Sequence, residues 1–270
     1  MNRYQKLCKK LIPFKKGCFI PFVVLGDPSI DMSLKIINAL IENGADGLEL
    51  GIPFSDPIAD GEIIQKANLR AFNSKINLHK CFDILSEIRE KHQTIPIGLL
   101  LYSNLIFKFG INKFYLKCYK IGIDSILIAD LPIEESYVFR KYAVINNILP
   151  VFICPPDAKK NVIKNIAIHS QGYIYLLSRS GVTGINQEIM IPPLSLINKL
   201  KKLTKTPLIQ GFGVSYPYQI QKIILSGISG VICGSIIAKL IENYFQDDDK
   251  LIKEIIFLSK SFKKATIIIE

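Results

Sequence analysis

The chain lacks any apolar run long enough to cross a membrane. A spanning helix needs about 18 or more such residues in succession, and the most apolar stretch, residues 95–107, is broken by Pro96, Gly98, Ser103 and Asn104. No signal-peptide core is expected near the N-terminus, where Lys6, Lys9, Lys10, Lys15 and Lys16 interrupt the sequence. Histidine is scarce, and His79, His92 and His169 fall in helical or loop stretches away from other candidate chemistry. The six cysteines (Cys8, Cys18, Cys81, Cys118, Cys154, Cys233) form no CxxC pair and have no histidine cluster beside them. That argues against zinc and against a redox dithiol. Most lie in apolar segments and read as buried thiols of a reducing compartment. These absences together lead to the expectation of a soluble cytoplasmic protein without a metal site.

Acidic residues are in the minority, 23 against 34 Lys and Arg, leaving a net charge of +11. A nucleic-acid partner is one explanation, and a lysine-rich surface is the other. The lysines are dispersed in pairs such as Lys9-Lys10, Lys159-Lys160 and Lys263-Lys264. They form no arginine-aromatic stripe, so no nucleic-acid binding is expected. A positive field would still favour small anionic substrates.

Hydrophobic residues make up 49% of the 270 positions, enough for a large core and against disorder. Short β-type runs at 19–24, 47–50, 97–101, 125–129, 150–153, 173–177, 208–210 and 230–233 are rich in Val, Ile, Leu and Tyr, as strands buried on both faces should be. Segments with helical spacing lie between them. Leu34, Ile37, Leu40 and Ile41 form one such face, with Asp31 as the expected N-cap and Gly44 as the stop. A last helix is expected over 251–262. Eight strands alternating with helices, and no long linker, fit a single α/β domain over residues 1–270, a (β/α)₈ TIM barrel. An open doubly wound sheet is the alternative that these periodicities leave standing. Tyr4, Leu7, Cys8 and Leu11 share a face and suggest an extra N-terminal helix covering the bottom of the barrel.

Residues 48–61 read Leu-Glu-Leu-Gly-Ile-Pro-Phe-Ser-Asp-Pro-Ile-Ala-Asp-Gly. Glu49 sits between two strand leucines, and Asp56 and Asp60 follow in the loop. A buried carboxylate without a partner costs several kcal/mol and tends to hold a proton. Beside a loop acid it makes an acid/base pair. The plain alternative is a salt-bridged core glutamate with two loop-capping aspartates. Tyr102, Asp130 and Tyr175 also fall at or near strand ends, where a barrel places its chemistry. Alone they read as structural.

Glycines mark the later turns. Gly211-Phe212-Gly213 follows the seventh run, and Gly234-Ser235 follows the eighth and opens a helix. Free N–H groups at a helix start, with glycine allowing close approach, suit a phosphate. Residues 178–184, with Ser180, Gly181, Thr183 and Gly184, form a third candidate loop.

Residues 48–61 resemble the signature of the tryptophan synthase alpha chain family position by position. Pro21-Phe22-Val23-Val24-Leu25-Gly26-Asp27-Pro28, residues 176–184 and Gln210-Gly211-Phe212-Gly213-Val214 are similar to the same family, in its order. The resemblance implies cleavage of indole-3-glycerol phosphate to indole and glyceraldehyde 3-phosphate, without metal or organic cofactor. It assigns proton transfer to Glu49 and stabilisation of charge on the indole nitrogen to Asp60. It implies an indole pocket of Phe22, Leu100, Leu127, Phe212 and Tyr175, and a phosphate held by Gly184, Gly213, Gly234 and Ser235 under a loop bearing Thr183. A partner is implied too: a pyridoxal-phosphate beta chain that receives the indole in an α₂β₂ heterotetramer. Pro53-Phe54-Ser55-Asp56-Pro57 would meet it, with Phe54 expected to be exposed. Glu62 and Val24 depart from the family's usual proline and threonine, and Glu62 is expected to add negative charge near Asp60. Another phosphosugar barrel enzyme, or an inactive subunit that only activates a partner, are the competing functions. The latter would call for loss of Glu49 or Asp60, and both are present.

Overall fold

Eight short aliphatic runs become eight strands that pair in chain order and close on themselves. In the computed structural model, which describes residues 2–11, 16–178 and 190–268, these are β1 (Cys18–Val24), β2 (Leu48–Gly51), β3 (Ile97–Leu101), β4 (Ser125–Ile128), β5 (Leu149–Cys154), β6 (Ile174–Leu176), β7 (Leu208–Gln210) and β8 (Gly230–Cys233). Every neighbouring pair is parallel, and β8 returns to β1 through Cys18↔Gly230 to Pro21↔Cys233. The closed barrel removes the open-sheet alternative. Among the described residues no helix is long and apolar enough to cross a membrane.

Twelve α-helices among the described residues surround the barrel: α1 (Arg3–Leu11), α2 (Ile30–Glu42), α3 (Glu62–Asn73), α4 (Leu78–Lys91), α5 (Ser103–Phe109), α6 (Ile111–Ile121), α7 (Tyr137–Ile145), α8 (Lys160–His169), α9 (Leu194–Leu203), α10 (Pro217–Leu225), α11 (Ser235–Tyr244) and α12 (Asp248–Ala265). Strand side chains alternate between the barrel interior and the helix layer. Thus Phe19 turns outward and meets Phe262 of α12 edge-on, centroids 5.7 Å apart. Glu49, two residues before Gly51 and paired in register with Phe22 and Gly98, turns inward.

Two helix ends show how local chemistry sets the boundaries. The expected cap of α2, Asp31, lies inside the first turn, and Ser29 caps instead, its hydroxyl accepting from Met32 N at 3.2 Å. Both residue types cap well; the chain enters α2 at Ile30, so only Ser29 has the extended backbone a cap requires. At the other end of α6, Gly122 adopts φ +90, a left-handed turn that a side chain would strain.

The extra N-terminal helix closes the bottom of the barrel. Tyr4 of α1 is buried, its hydroxyl 2.8 Å from Ser125 Oγ, and its ring lies 5.5 Å from that of Tyr173. Gly98 leaves room for this plug, since a Cβ there would come within 2.8 Å of Ser125 Oγ and 3.0 Å of Tyr4 Oη. At the same end Asp124 accepts from Arg3 (3.0 Å), Arg89 (2.9 Å) and Ile97 N (2.9 Å). Asp46 accepts from Phe19 N (2.8 Å) and from Lys263 Nζ (2.6 and 2.7 Å).

Candidate active site

At the opposite end, where the strands finish, one cavity is lined by Phe22, Glu49, Asp60, Leu100, Tyr175, Phe212, Gly213, Gly234 and Ser235. The residues expected from the sequence therefore converge, with three exceptions. Leu127 lies below the cavity, 1% exposed in the barrel interior. It pairs with Leu100 in register, but tilt of the strands places the next inward residue of the fourth strand segment, Ala129, at the level of the mouth. Thr183 and Gly184 fall outside the described residues, as does most of the loop that carries them. Ala59, Ile64, Ile153, Val214 and Ile232 complete the wall and were not singled out in the sequence, being ordinary core types by composition.

Glu49 is 1% exposed. Tyr173 donates its hydroxyl to Glu49 Oε1 at 2.5 Å, while Oε2 is buried with no partner among the described residues. Burial pushes the carboxyl up to about 7, against the downward pull of the Tyr173 bond. Tyr173 was visible only as the first residue of a β-type run; its spacing of two from Tyr175 is the signal that puts both on the inner face. Tyr175 meets Phe212 edge-on with centroids 5.9 Å apart, giving the cavity an aromatic wall.

Asp60 is held by three neighbours. Tyr102 bonds its carboxyl and accepts from Ala59 N at 3.1 Å. Asn68 Nδ2 donates to Asp60 Oδ2 at 3.4 Å, and Gln65 Nε2 donates to its carbonyl at 2.8 Å. Burial raises the Asp60 carboxyl to about 6, with Tyr102 and Asn68 pulling it down. The charge expected from Glu62 does not enter: that side chain points to solvent and pairs with Lys66 at 2.7 Å. Val24 is buried in β1, and nothing in the structure explains its departure from the usual threonine.

The loop between β2 and α3 corrects a further expectation. Phe54 is half-buried, stacked on Tyr102 with centroids 4.9 Å apart, and Pro53 is buried. The loop's exposed apolar residue is Ile58, 77% exposed. Asp130 is a capping group, its carboxylate accepting from Ser103 N and Oγ, each at 2.8 Å, at the start of α5.

Opposite the carboxylates, α11 starts at Ser235, and its first internal bond is Ala238 N to Gly234 O at 2.9 Å. The N–H groups of Ser235, Ile236 and Ile237 are therefore free of helix partners, and Gly234 and Ser235 line the mouth together with Gly213. Gly234 has to be glycine: a Cβ would lie 2.7 Å from the Phe22 ring. A helix start with its partial positive charge is a place suited to an anion. Among the described residues no group of three or more His, Cys, Asp or Glu gathers as a metal site would need, and all six cysteines are free thiols. His92 bonds Asn38 at 2.7 Å and His79 packs near Phe109, both away from the cavity.

A closed barrel with two buried carboxyls of raised pKa, an aromatic wall and a helix start suited to an anion in one mouth defines a (β/α)₈-barrel enzyme built for acid/base chemistry. The family model of the tryptophan synthase alpha chain matches residues 9–267. The chain belongs to that family. It is 70% identical over 268 residues to the tryptophan synthase alpha chain of Buchnera aphidicola subsp. Schlechtendalia chinensis, covering 99% of this chain and 100% of that one. Against the alpha chain of Escherichia coli (strain SMS-3-5 / SECEC) it is 50% identical over 266 residues, covering 98% and 99%. A solved structure of the tryptophan synthase a2b2 complex from Pyrococcus furiosus superposes with a TM-score of 0.82 at 31% identity, over 92% of this chain and 98% of that one.

Proposed function

We propose that the chain cleaves indole-3-glycerol phosphate to indole and glyceraldehyde 3-phosphate as the alpha subunit of a cytoplasmic tryptophan synthase, without metal or organic cofactor of its own. The observation that carries this reading is Glu49: a buried carboxyl in the cavity wall, raised to about 7, bonded by Tyr173 at one oxygen and without a partner among the described residues at the other.

Indole is a poor leaving group until its C3 is protonated. Glu49 in its acid form donates a proton at C3, which places positive charge on the ring nitrogen. The Asp60 carboxylate, ionised above about pH 6, stabilises that charge. The Glu49 carboxylate so formed then takes the proton of the neighbouring hydroxyl. The bond between C3 and the hydroxyl-bearing carbon breaks, its electron pair returns to the ring, and the oxygen becomes the aldehyde carbonyl. One proton has moved from hydroxyl to C3, and Glu49 is again an acid. Acid/base catalysis of this kind contributes about 10²–10⁴-fold. Phe22, Leu100, Tyr175 and Phe212 supply the apolar bed for indole. The backbone of Gly213, Gly234 and Ser235, with Gly184 from the loop that also carries Thr183, receives the phosphate.

The partner is a tryptophan synthase beta chain, docked at the loop of residues 53–58, with exposed Ile58 as its apolar contact. Measuring indole released from indole-3-glycerol phosphate, with and without a beta chain, tests both parts. Release by the chain alone, stimulated by the partner, is the expected result. No release in either condition defeats the lyase reading, and release without stimulation or complex formation on ultracentrifugation defeats the partner.

A further inference from the structure

Asn68 of α3 is 5% exposed and occupies the inside of the loop that joins β2 to α3. Its Oδ1 accepts from Phe54 N at 3.1 Å. Its Nδ2 donates to Ile64 O at 3.0 Å and to Asp60 Oδ2 at 3.4 Å. These partners fix the orientation of the amide. Phe54 N–H can only donate, and Ile64 O can only accept, so the oxygen must face Phe54 and the nitrogen must face Asp60. No other side chain of this length offers an acceptor to one end of the loop and a donor to the other.

We propose that Asn68 is a positioning residue that couples the Phe54 segment to the Asp60 carboxylate, so that a partner seated on this loop acts on the site through one amide. The inference rests on the reading of the chain as a partnered lyase. Phe54 also stacks on Tyr102, whose hydroxyl bonds both Ala59 N and Asp60. The Phe54 segment thus reaches Asp60 by two routes, one aromatic and one through Asn68. At 3.4 Å the Asn68–Asp60 bond is at the weak end of its range, where a shift of about 0.5 Å at Phe54 either strengthens or breaks it. The titratable groups facing Asp60 are Tyr102 from the end of β3 and Tyr175 from β6, with Glu49 of β2 in the same cavity. Tyr102 and Tyr175 stay neutral in the working range, burial raising both hydroxyls, so a change at residue 68 is read on Asp60 itself.

Two variants test this in the indole-release assay, each alone and with the beta chain. Asn68→Ala removes both links; its stimulation by the partner should fall by about tenfold or more, as expected for a lost bond to a charged group. KM should change less than twofold, and the complex should still form on ultracentrifugation. Asn68→Asp is isosteric and keeps the acceptor for Phe54 N–H, but it replaces the donor with a like charge. It should move the acid limb of the kcat profile to higher pH while leaving the fold intact, and it decides the matter if Asn68→Ala fails to fold. Stimulation as in the wild type for Asn68→Ala within a formed complex, or an unmoved acid limb for Asn68→Asp, overturns the coupling. A wild-type chain that releases no indole overturns instead the lyase reading beneath it.

Discussion

Asp124 and Glu49 are both buried carboxylates in one barrel, at opposite ends, and their surroundings differ in one respect that matters. Asp124, below β4, is saturated by two guanidinium groups and a backbone N–H. Glu49, in β2, has a tyrosine hydroxyl at one oxygen and, among the described residues, nothing at the other. The first arrangement stabilises the fold, because an ion left in low dielectric is tolerable only when its lone pairs are filled. The second leaves a site strained electrostatically and ready for a proton. Asp27 shows that a raised pKa alone does not make the distinction. Its carboxyl is pushed to about 6 by burial, yet Arg70 grips both its oxygens at 2.7 and 2.8 Å. The missing partner, and not the shift, marks Glu49.

The largest effect should come from exchanging Glu49→Gln. Turnover should fall by at least about 10²-fold while substrate still binds through its phosphate. Stability should move the other way. The Glu49 carboxyl titrates near 4.5 in an unfolded chain and about 7 in the folded one, so the stability that this group contributes is full below about 4.5 and is lost as pH rises through about 7. Glutamine escapes that decline, and urea denaturation at pH 8 should show a gain on the order of 1–3 kcal/mol. Near-normal turnover, or a loss of stability at pH 8, would erase the contrast between the two ends of the barrel.

The mirror experiment is Asp124→Asn. It leaves Arg89, which also donates to Gly122 O, His92 O and Ile95 O, without its counter-charge in the interior. Breaking one side of a buried pair costs about 3–5 kcal/mol, visible in the denaturation midpoint. Activity per folded molecule should stay within about twofold, since this end of the barrel lies away from the cavity and structure-only changes act through the folded fraction. A large drop in kcat for the folded variant would mean that the ends are coupled.

How much of this was legible beforehand depends on the length scale of the signal. Strand positions came within about two residues, because period-two patterns and Gly or Pro breaks are local. Glu49 and Asp60 were legible because fourteen consecutive positions carry them. The misreadings involve choices made by tertiary packing. Ser29 and Asp31 are equally good caps by type, and the entry of the chain at Ile30 decides between them. Leu127 looked equivalent to Leu100 until barrel tilt placed it one layer lower. Phe54 looked like an exposed anchor until Tyr102, far off in sequence, supplied a ring to stack on. Tyr173 and Asn68 are marked by the carboxylates they touch, and no linear pattern records a contact across 124 residues.

Asp60→Asn should have the third-largest effect. The amide keeps the size and the Tyr102 contact but cannot balance a positive ring nitrogen. A charge felt mainly in the transition state shows up in kcat more than in affinity, and a fall of about 10–100-fold is expected with KM changed less than threefold. The acid limb near pH 6, which the proposed mechanism assigns to ionisation of Asp60, should vanish from the kcat profile of this variant. Equal losses in kcat and binding would class Asp60 with Asp124 as a structural acid.

The smallest effect, and the sharpest on the comparison, should come from Tyr173→Phe. Among the described residues the hydroxyl is the one side-chain group bonded to the Glu49 carboxyl, and its bond draws that carboxyl down against burial. Without it the charged form is stabilised less, so Glu49 holds its proton to a higher pH than about 7. The proposed mechanism begins with Glu49 protonated, so the alkaline limb of the kcat profile should move upward. The acid limb set by Asp60 should stay where it is, for Tyr173 does not touch that residue. The change in kcat at pH 7 should be only a few-fold, since the acid form becomes more abundant while its orientation loosens. The ring still packs on Tyr4, so the fold should persist. A pH–rate profile for wild type and variant decides the point. A downward shift of the alkaline limb would mean that Tyr173 supports the neutral acid and not the carboxylate, and the two ends of the barrel would then differ in the number of their partners but not in the kind of charge those partners favour.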